Sequence, residues 1–125
     1  MNTALILSDK ELHGLINLRG DDVSVYINNI IPEICADADV SFNLISMLQE
    51  KRLARWDGHS LILVPLLKLI LDEACGATSM YEPEPGAFAL ECPNMHLLFT
   101  RYEWAEGVWR IAPFKDKSSL LLSLN

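Results

Sequence analysis

Three histidines, three cysteines and seventeen carboxylates are the side chains that could carry chemistry in this chain, and their spacing limits what that chemistry can be. His13, His59 and His96 lie far apart, so none forms the His-x-x-x-His pair that sets two imidazoles on one helix face. No Cys-x-x-Cys supplies half of a zinc site. A thiol nucleophile would need Cys35, Cys75 or Cys92 close to a histidine, and none is its neighbour in sequence. Asp37 with Asp39, and Glu82 with Glu84 beside Pro83 and Pro85, resemble paired carboxylates. General acid–base catalysis needs two carboxyls of different environment across a cleft, and close spacing in a polar turn offers neither burial nor separation. A glycine-rich phosphate loop and a Gly-x-Ser-x-Gly elbow are also missing. The expectation is a non-enzyme, with no catalytic residue, no metal ligand and no cofactor.

Recognition chemistry is better represented. Trp56, Tyr81, Tyr102 and Trp104 are the candidate partner-binding residues, because aromatic side chains anchor interfaces. On a single sheet about half of such rings belong to the core, and Trp104, beside the Ala105-Glu106-Gly107 turn, is the one most expected to face solvent. Lys51, Arg52 and Arg55 cluster at a helix end ahead of an Asp57-Gly58 turn, so Phe42–Leu63 also resembles the helix-and-wing part of a winged-helix domain, with these bases on phosphates. The same bases complement a helix dipole, and the rest of the chain argues against nucleic acid. Its net charge is −7, with eight acids against two bases in residues 1–50. That deficit disfavours phosphate backbones and anionic membranes alike and suits a basic protein surface.

The elements that must position these residues follow from local signals. With 125 residues, half of them hydrophobic, the chain is long enough for one core and one domain. Residues 1–7 lack the features of a signal peptide, and the longest apolar run, Leu61–Leu71, is interrupted by Pro65 and Lys68 and too short to cross a bilayer. Cysteines odd in number and widely spaced fit a reducing compartment better than a disulfide framework, and a cytoplasmic protein is expected. Ser8-Asp9-Lys10-Glu11 is a capping box that opens a helix over Asp9–Arg19, with Leu7 and Leu12 placed for a hydrophobic staple and Gly20 as its stop. Val23, Tyr26, Ile27 and Ile30 suggest a short helix before Pro32, and Leu44, Ile45 and Leu48 a longer one over Asp39–Arg52. Asp57-Gly58 predicts a tight two-residue hairpin, and Pro65 the first turn of a helix, apolar nearly all round, that ends at Gly76.

Beyond Gly76 the pattern shortens to strands over Ala87–Glu91, Met95–Trp104 and Val108–Ala112, forming an antiparallel meander. A brief strand around Thr78–Tyr81 adds an edge, and Glu82–Gly86 is expected as the loop that follows it. Pro113 is expected to end the sheet, and Asp116–Leu124 to fold back on it as a terminal helix. The fold class is therefore α+β: N-terminal helices with a small β-hairpin, then a C-terminal antiparallel β-meander and terminal helix.

The capped helix at Ser8–Gly20, the helix–hairpin–helix of Leu48–Gly76 with Leu53, Asp57-Gly58 and Pro65, the meander of Met95–Phe114 and the closing helix Ser118–Leu124 together resemble the EspG-type chaperones of type VII secretion. That resemblance implies a cytoplasmic, non-catalytic chaperone that binds a helical secretion substrate. The chain has about half the length of that two-halved fold, which implies one half, completed by self-association as a homodimer, or else an unrelated fold with the same pattern. Without the resemblance, a small acidic protein free of catalytic motifs also fits an immunity protein that neutralises a toxin, or an acidic winged-helix regulator.

Overall fold

The computed structural model describes residues 4–19, 46–103 and 107–124. It has an α+β architecture: a five-stranded antiparallel sheet, a separate two-stranded hairpin and helices packed against the sheet. Among the described residues the order is β1 (Leu5–Ser8), α1 (Asp9–Arg19), helical residues 46–50, β2 (Ala54–Trp56), β3 (Leu61–Leu63), α2 (Pro65–Cys75), β4 (Ser79–Glu84), β5 (Ala87–Glu91), β6 (His96–Arg101), β7 (Val108–Phe114) and α3 (Lys117–Leu122). None of the described helices is long and apolar enough to cross a membrane. The short helix expected before Pro32, the Asp39 end of the following one, Asp37 and Cys35 lie outside the described residues.

The capping box closes as its spacing requires. Glu11 N–H donates to Ser8 Oγ at 3.1 Å, and Ser8 N–H donates to Glu11 Oε1 at 2.8 Å. Leu7 and Leu12, on either side of the cap, are both in the core. The apolar residues ahead of the cap do more than lead into it. They form β1, which pairs with β7 from Leu5↔Ile111 to Ser8↔Val108 and completes the sheet order β1-β7-β6-β5-β4.

Strand alternation divides the sheet into two faces. Leu5, Leu7, Leu90, Leu97, Phe99, Trp109 and Ile111 point to the main core, where Leu12 and Leu15 of α1, Leu48, and Leu67, Ile70 and Leu71 of α2 cover them. Ala87, Ala89, Leu98 and Ala112 occupy the other face, and their short side chains admit Leu120 of α3, which is fully buried there. Asp116 caps α3 by accepting from Ser119 N–H at 2.8 Å.

Two prolines overturn the expected strand limits. Pro113 lies inside β7 opposite Leu97. Tyr102 N–H donates to Val108 C=O, so in this register the hydrogen-bonded pairs fall at 100/110, 98/112 and 96/114. Pro113 therefore turns its missing donor away from β6, towards the side where β1 starts only at Leu5↔Ile111. Pro83 lies in β4, an edge strand with a register shift between Tyr81 and Glu84, so only Pro85-Gly86 remains as the turn. Strand β6 is also shorter than expected, running from His96 to Arg101.

The helix before the hairpin stops at residue 50, two residues short of Arg52. Leu53 N–H reaches Leu48 C=O at 2.9 Å and Arg52 N–H reaches Gln49 C=O at 3.0 Å, the paired bonds of a Schellman ending. Arg52 occupies the left-handed position with φ 59°, where glycine is usual. In α2, Pro65 starts the helix as expected, but its faces differ: Leu67, Ile70, Leu71 and Ala74 are buried while Lys68 and Leu69 are exposed.

Two substitutions test these ends. Arg52→Gly should raise stability by about 0.5–1 kcal/mol, the left-handed cost of a Cβ offset in part by glycine's freedom in the unfolded chain. Ser8→Ala should lower it by about 1 kcal/mol. Urea denaturation of both variants measures the shifts, and a less stable Arg52→Gly would rule out the strain.

Candidate functional site

The hairpin is built outward from the helix end. Arg52 turns the chain, Leu53 enters the core, and Val64 N–H donates to Leu53 C=O at 2.9 Å, closing the base of β2 and β3. The tip is a four-residue loop, 57–60, and not the two-residue turn expected from Asp57-Gly58. Asp57 Oδ1 accepts from His59 N–H at 2.9 Å and Ser60 N–H at 2.8 Å, and Asp57 N–H donates to Ser60 C=O at 3.2 Å, so the turn centres on Gly58-His59 and not on Asp57-Gly58. Gly58 takes φ +96° there. The Ser60 and His59 amides hold the Asp57 carboxyl below its ordinary 3.8, so the loop keeps a negative charge at neutral pH.

Register assigns the hairpin's two faces. Ala54↔Leu63 and Trp56↔Leu61 share the face toward the core, whereas Arg55↔Ile62 face away from it. Trp56, near the tip, is still 48% exposed, and Ile62 is 37% exposed. Beside Ile62, and not Trp56, runs an open groove of about 440 Å³, with Ala54, Ile62, Leu63, Val64 and Pro65 as apolar walls and Gln49, Arg52 and Arg55 at its rim. Lys51 is drawn elsewhere: its Nζ sits 2.6 Å from Glu11 Oε1 and 3.3 Å from Ile6 C=O. The three bases that a winged-helix reading would place on phosphates are thus divided, one tied to a buried carboxylate and two beside the groove.

A second groove, of about 580 Å³, opens at the far end of the sheet between Glu84, Pro85, Thr100, Arg101, Tyr102, Glu103 and Arg110. Tyr102 is half-buried there. Arg101 also stacks over Trp109 at 4.6 Å. Its two acids and two bases offset each other, which gives this groove less selectivity for one sign of charge than the hairpin has.

The candidate residues therefore separate. Trp56 is on the hairpin and Tyr102 in the sheet-end groove. Tyr81 is held between elements: its hydroxyl is 2.9 Å from His96 Nδ1, and Lys117 of α3 lies 4.6 Å over its ring. Its polar tip and one ring face are already occupied, which makes it a packing residue between β4 and α3. Trp104 lies outside the described residues. Ile62 was not singled out by sequence reading, although the Asp57-Gly58 signal contained it: once a hairpin is placed there, Ile62 falls opposite Arg55 on the outward face.

Two of the chemistry-bearing groups, Cys92 and Glu73, are held inside the fold. Cys92 is buried, its Sγ 3.7 Å from Leu90 C=O, and burial pushes its thiol up to about 12, with the charges of Glu73 and Glu91 adding to the effect. Glu73, a buried acid that sequence reading passed over, accepts from Asn94 N–H at 2.7 Å and Asn94 Nδ2 at 3.0 Å and so fastens the β5–β6 loop to α2. Glu82 and Glu84 are exposed on the edge strand. Among the described residues no group of three His, Cys, Asp or Glu side chains could hold a metal ion.

No family model, curated protein or solved structure matches this chain.

The Cys92 thiol gives a direct check. With its ionisation near pH 12, iodoacetamide at pH 8 should leave Cys92 unmodified in the folded protein and alkylate it in urea. Mass mapping of the labelled peptide reads this, and rapid native labelling would show a reactive thiol in place of a packed one.

Proposed function

We propose that this chain is a non-enzymatic protein-binding domain that holds a partner protein through the β2–β3 hairpin. The observation that carries the reading is the exposure of Trp56 and Ile62 on a hairpin whose base is fixed into the core by Leu53 and Leu63. A large aromatic ring on a rigid support loses little conformational freedom on binding, which is why such rings dominate interface energetics. The mixed wall of aliphatic side chains and guanidinium groups around Ile62 has the composition of an interface core and its rim.

The order of elements supports a more specific form, a cytoplasmic chaperone or adaptor related in manner to the type VII secretion chaperones, with a secretion substrate as partner. An immunity protein remains the competing form, in which the exposed acids Glu82, Glu84, Glu91 and Glu103 would face a basic toxin.

Affinity capture of the tagged chain from its native cells, run beside a Trp56→Ala variant and quantified by mass spectrometry, tests both levels. One protein should be recovered in stoichiometric amount and fall about tenfold with the variant. A helical secretion substrate supports the chaperone form, and a toxin replaces it with immunity. Equal recovery by wild type and variant would remove the hairpin from the interface.

A further inference from the structure

The groove around Ile62 combines three features that bear on its occupant. Its walls are apolar, from Ala54, Ile62, Leu63, Val64 and Pro65. Its charged rim is wholly cationic, Arg52 and Arg55, in a chain whose net charge is −7. Arg52 also occupies a left-handed backbone position at the helix ending, where glycine would be less strained. Resting on the protein-binding reading, we propose that the groove takes a partner segment in which an aliphatic or aromatic side chain lies next to Asp or Glu.

Charge complementarity selects this occupant. Guanidinium groups bind carboxylates through two parallel hydrogen bonds, and an apolar side chain between them fills the walls that water would otherwise cover. Nucleic acid offers anionic groups as well, but its affinity comes from neutralising many phosphates. Here two guanidiniums are at the groove, Lys51 is engaged by Glu11, and acids predominate along the chain. A basic partner segment would meet like charge at the rim. Asp57, whose carboxylate lies near Arg55, is turned into the loop by the His59 and Ser60 amides, so it limits the cationic field at the tip without closing the groove.

A random peptide library displayed on phage and panned against the full chain at physiological ionic strength tests the assignment. Enriched peptides should carry an apolar residue beside Asp or Glu, and synthetic copies should bind the Arg52→Glu/Arg55→Glu double variant about tenfold more weakly. Panning the double variant should enrich Lys and Arg instead. Arg55→Gln, which keeps a polar side chain but drops the charge, should weaken binding in the same direction and stands in for the reversal if that unfolds the hairpin. Peptides without acids that are still lost with Ile62→Asp would overturn the charge assignment and leave the hairpin as a binding surface. Peptides indifferent to Ile62→Asp, or no enrichment, would take down both. Tighter binding of a thymidine oligonucleotide than of any selected peptide, abolished in the double variant, would overturn the proposal in favour of nucleic acid.

Discussion

Glu11 joins two parts of the chain that are forty residues apart. Its Oε1 accepts from the Ser8 amide, completing the cap of α1, and from Lys51 Nζ, immediately before the hairpin turn. The carboxylate is almost completely buried, and a buried charge is tolerated only when paired and hydrogen-bonded. Lys51 also reaches the Ile6 carbonyl of β1. One ammonium group thus ties the first strand, the first helix and the end of helical residues 46–50 together. The direction in which the chain leaves residue 51, and with it the placement of Arg52, Arg55 and Trp56, depends on this contact.

The sheet supplies the opposing wall. The Trp109 indole donates to Asp9, and Asp9 N–H donates to Gly107 C=O at 2.8 Å, so the start of α1 is fastened to the start of β7 across a hundred residues. Trp109 is fully buried, with Phe88 at 6.3 Å on one side and the Arg101 guanidinium stacked on it. An indole buried with its N–H satisfied contributes apolar area without the penalty of an orphaned donor. Glu73 anchors the β5–β6 loop to α2 in the same manner, and Gly76 makes that approach feasible: a Cβ there would meet the Pro93 ring at 3.2 Å.

Sequence disclosed the elements whose signals are local. The Ser8–Glu11 box, Asp57-Gly58 and Pro65 each fix backbone geometry within a few residues, and each marks a real boundary. It did not disclose β1, because four apolar residues ahead of a helix look the same whether or not a strand a hundred positions later pairs with them. Pro83 and Pro113 were read as breakers because a missing donor matters only when a neighbour would receive it, and that depends on edge position and pairing register. Lys51 looked like one of three equivalent bases for the same reason: the acid that claims it is on another element. Of the site, Trp56 was recognisable by type. Ile62 was hidden in an apolar run, and the contacts of Tyr81 were not legible because its partners, His96 and Lys117, come from β6 and α3.

The helix ending links the backbone of the hairpin to the chemistry of its surface. A Schellman ending asks only for a residue tolerant of positive φ, and the preceding Leu48 and following Leu53 provide its apolar contact. Glycine would satisfy the backbone with less strain, and a polar residue of any kind would satisfy solvent. Arg52 does neither better, yet it places a guanidinium on the same groove as Arg55, beside aliphatic side chains that a purely structural hairpin could have left polar. The residue that ends the helix in a left-handed position is thus also a cationic residue of the groove rim, so the backbone of the helix stop and the charge of the hairpin surface are set at one position.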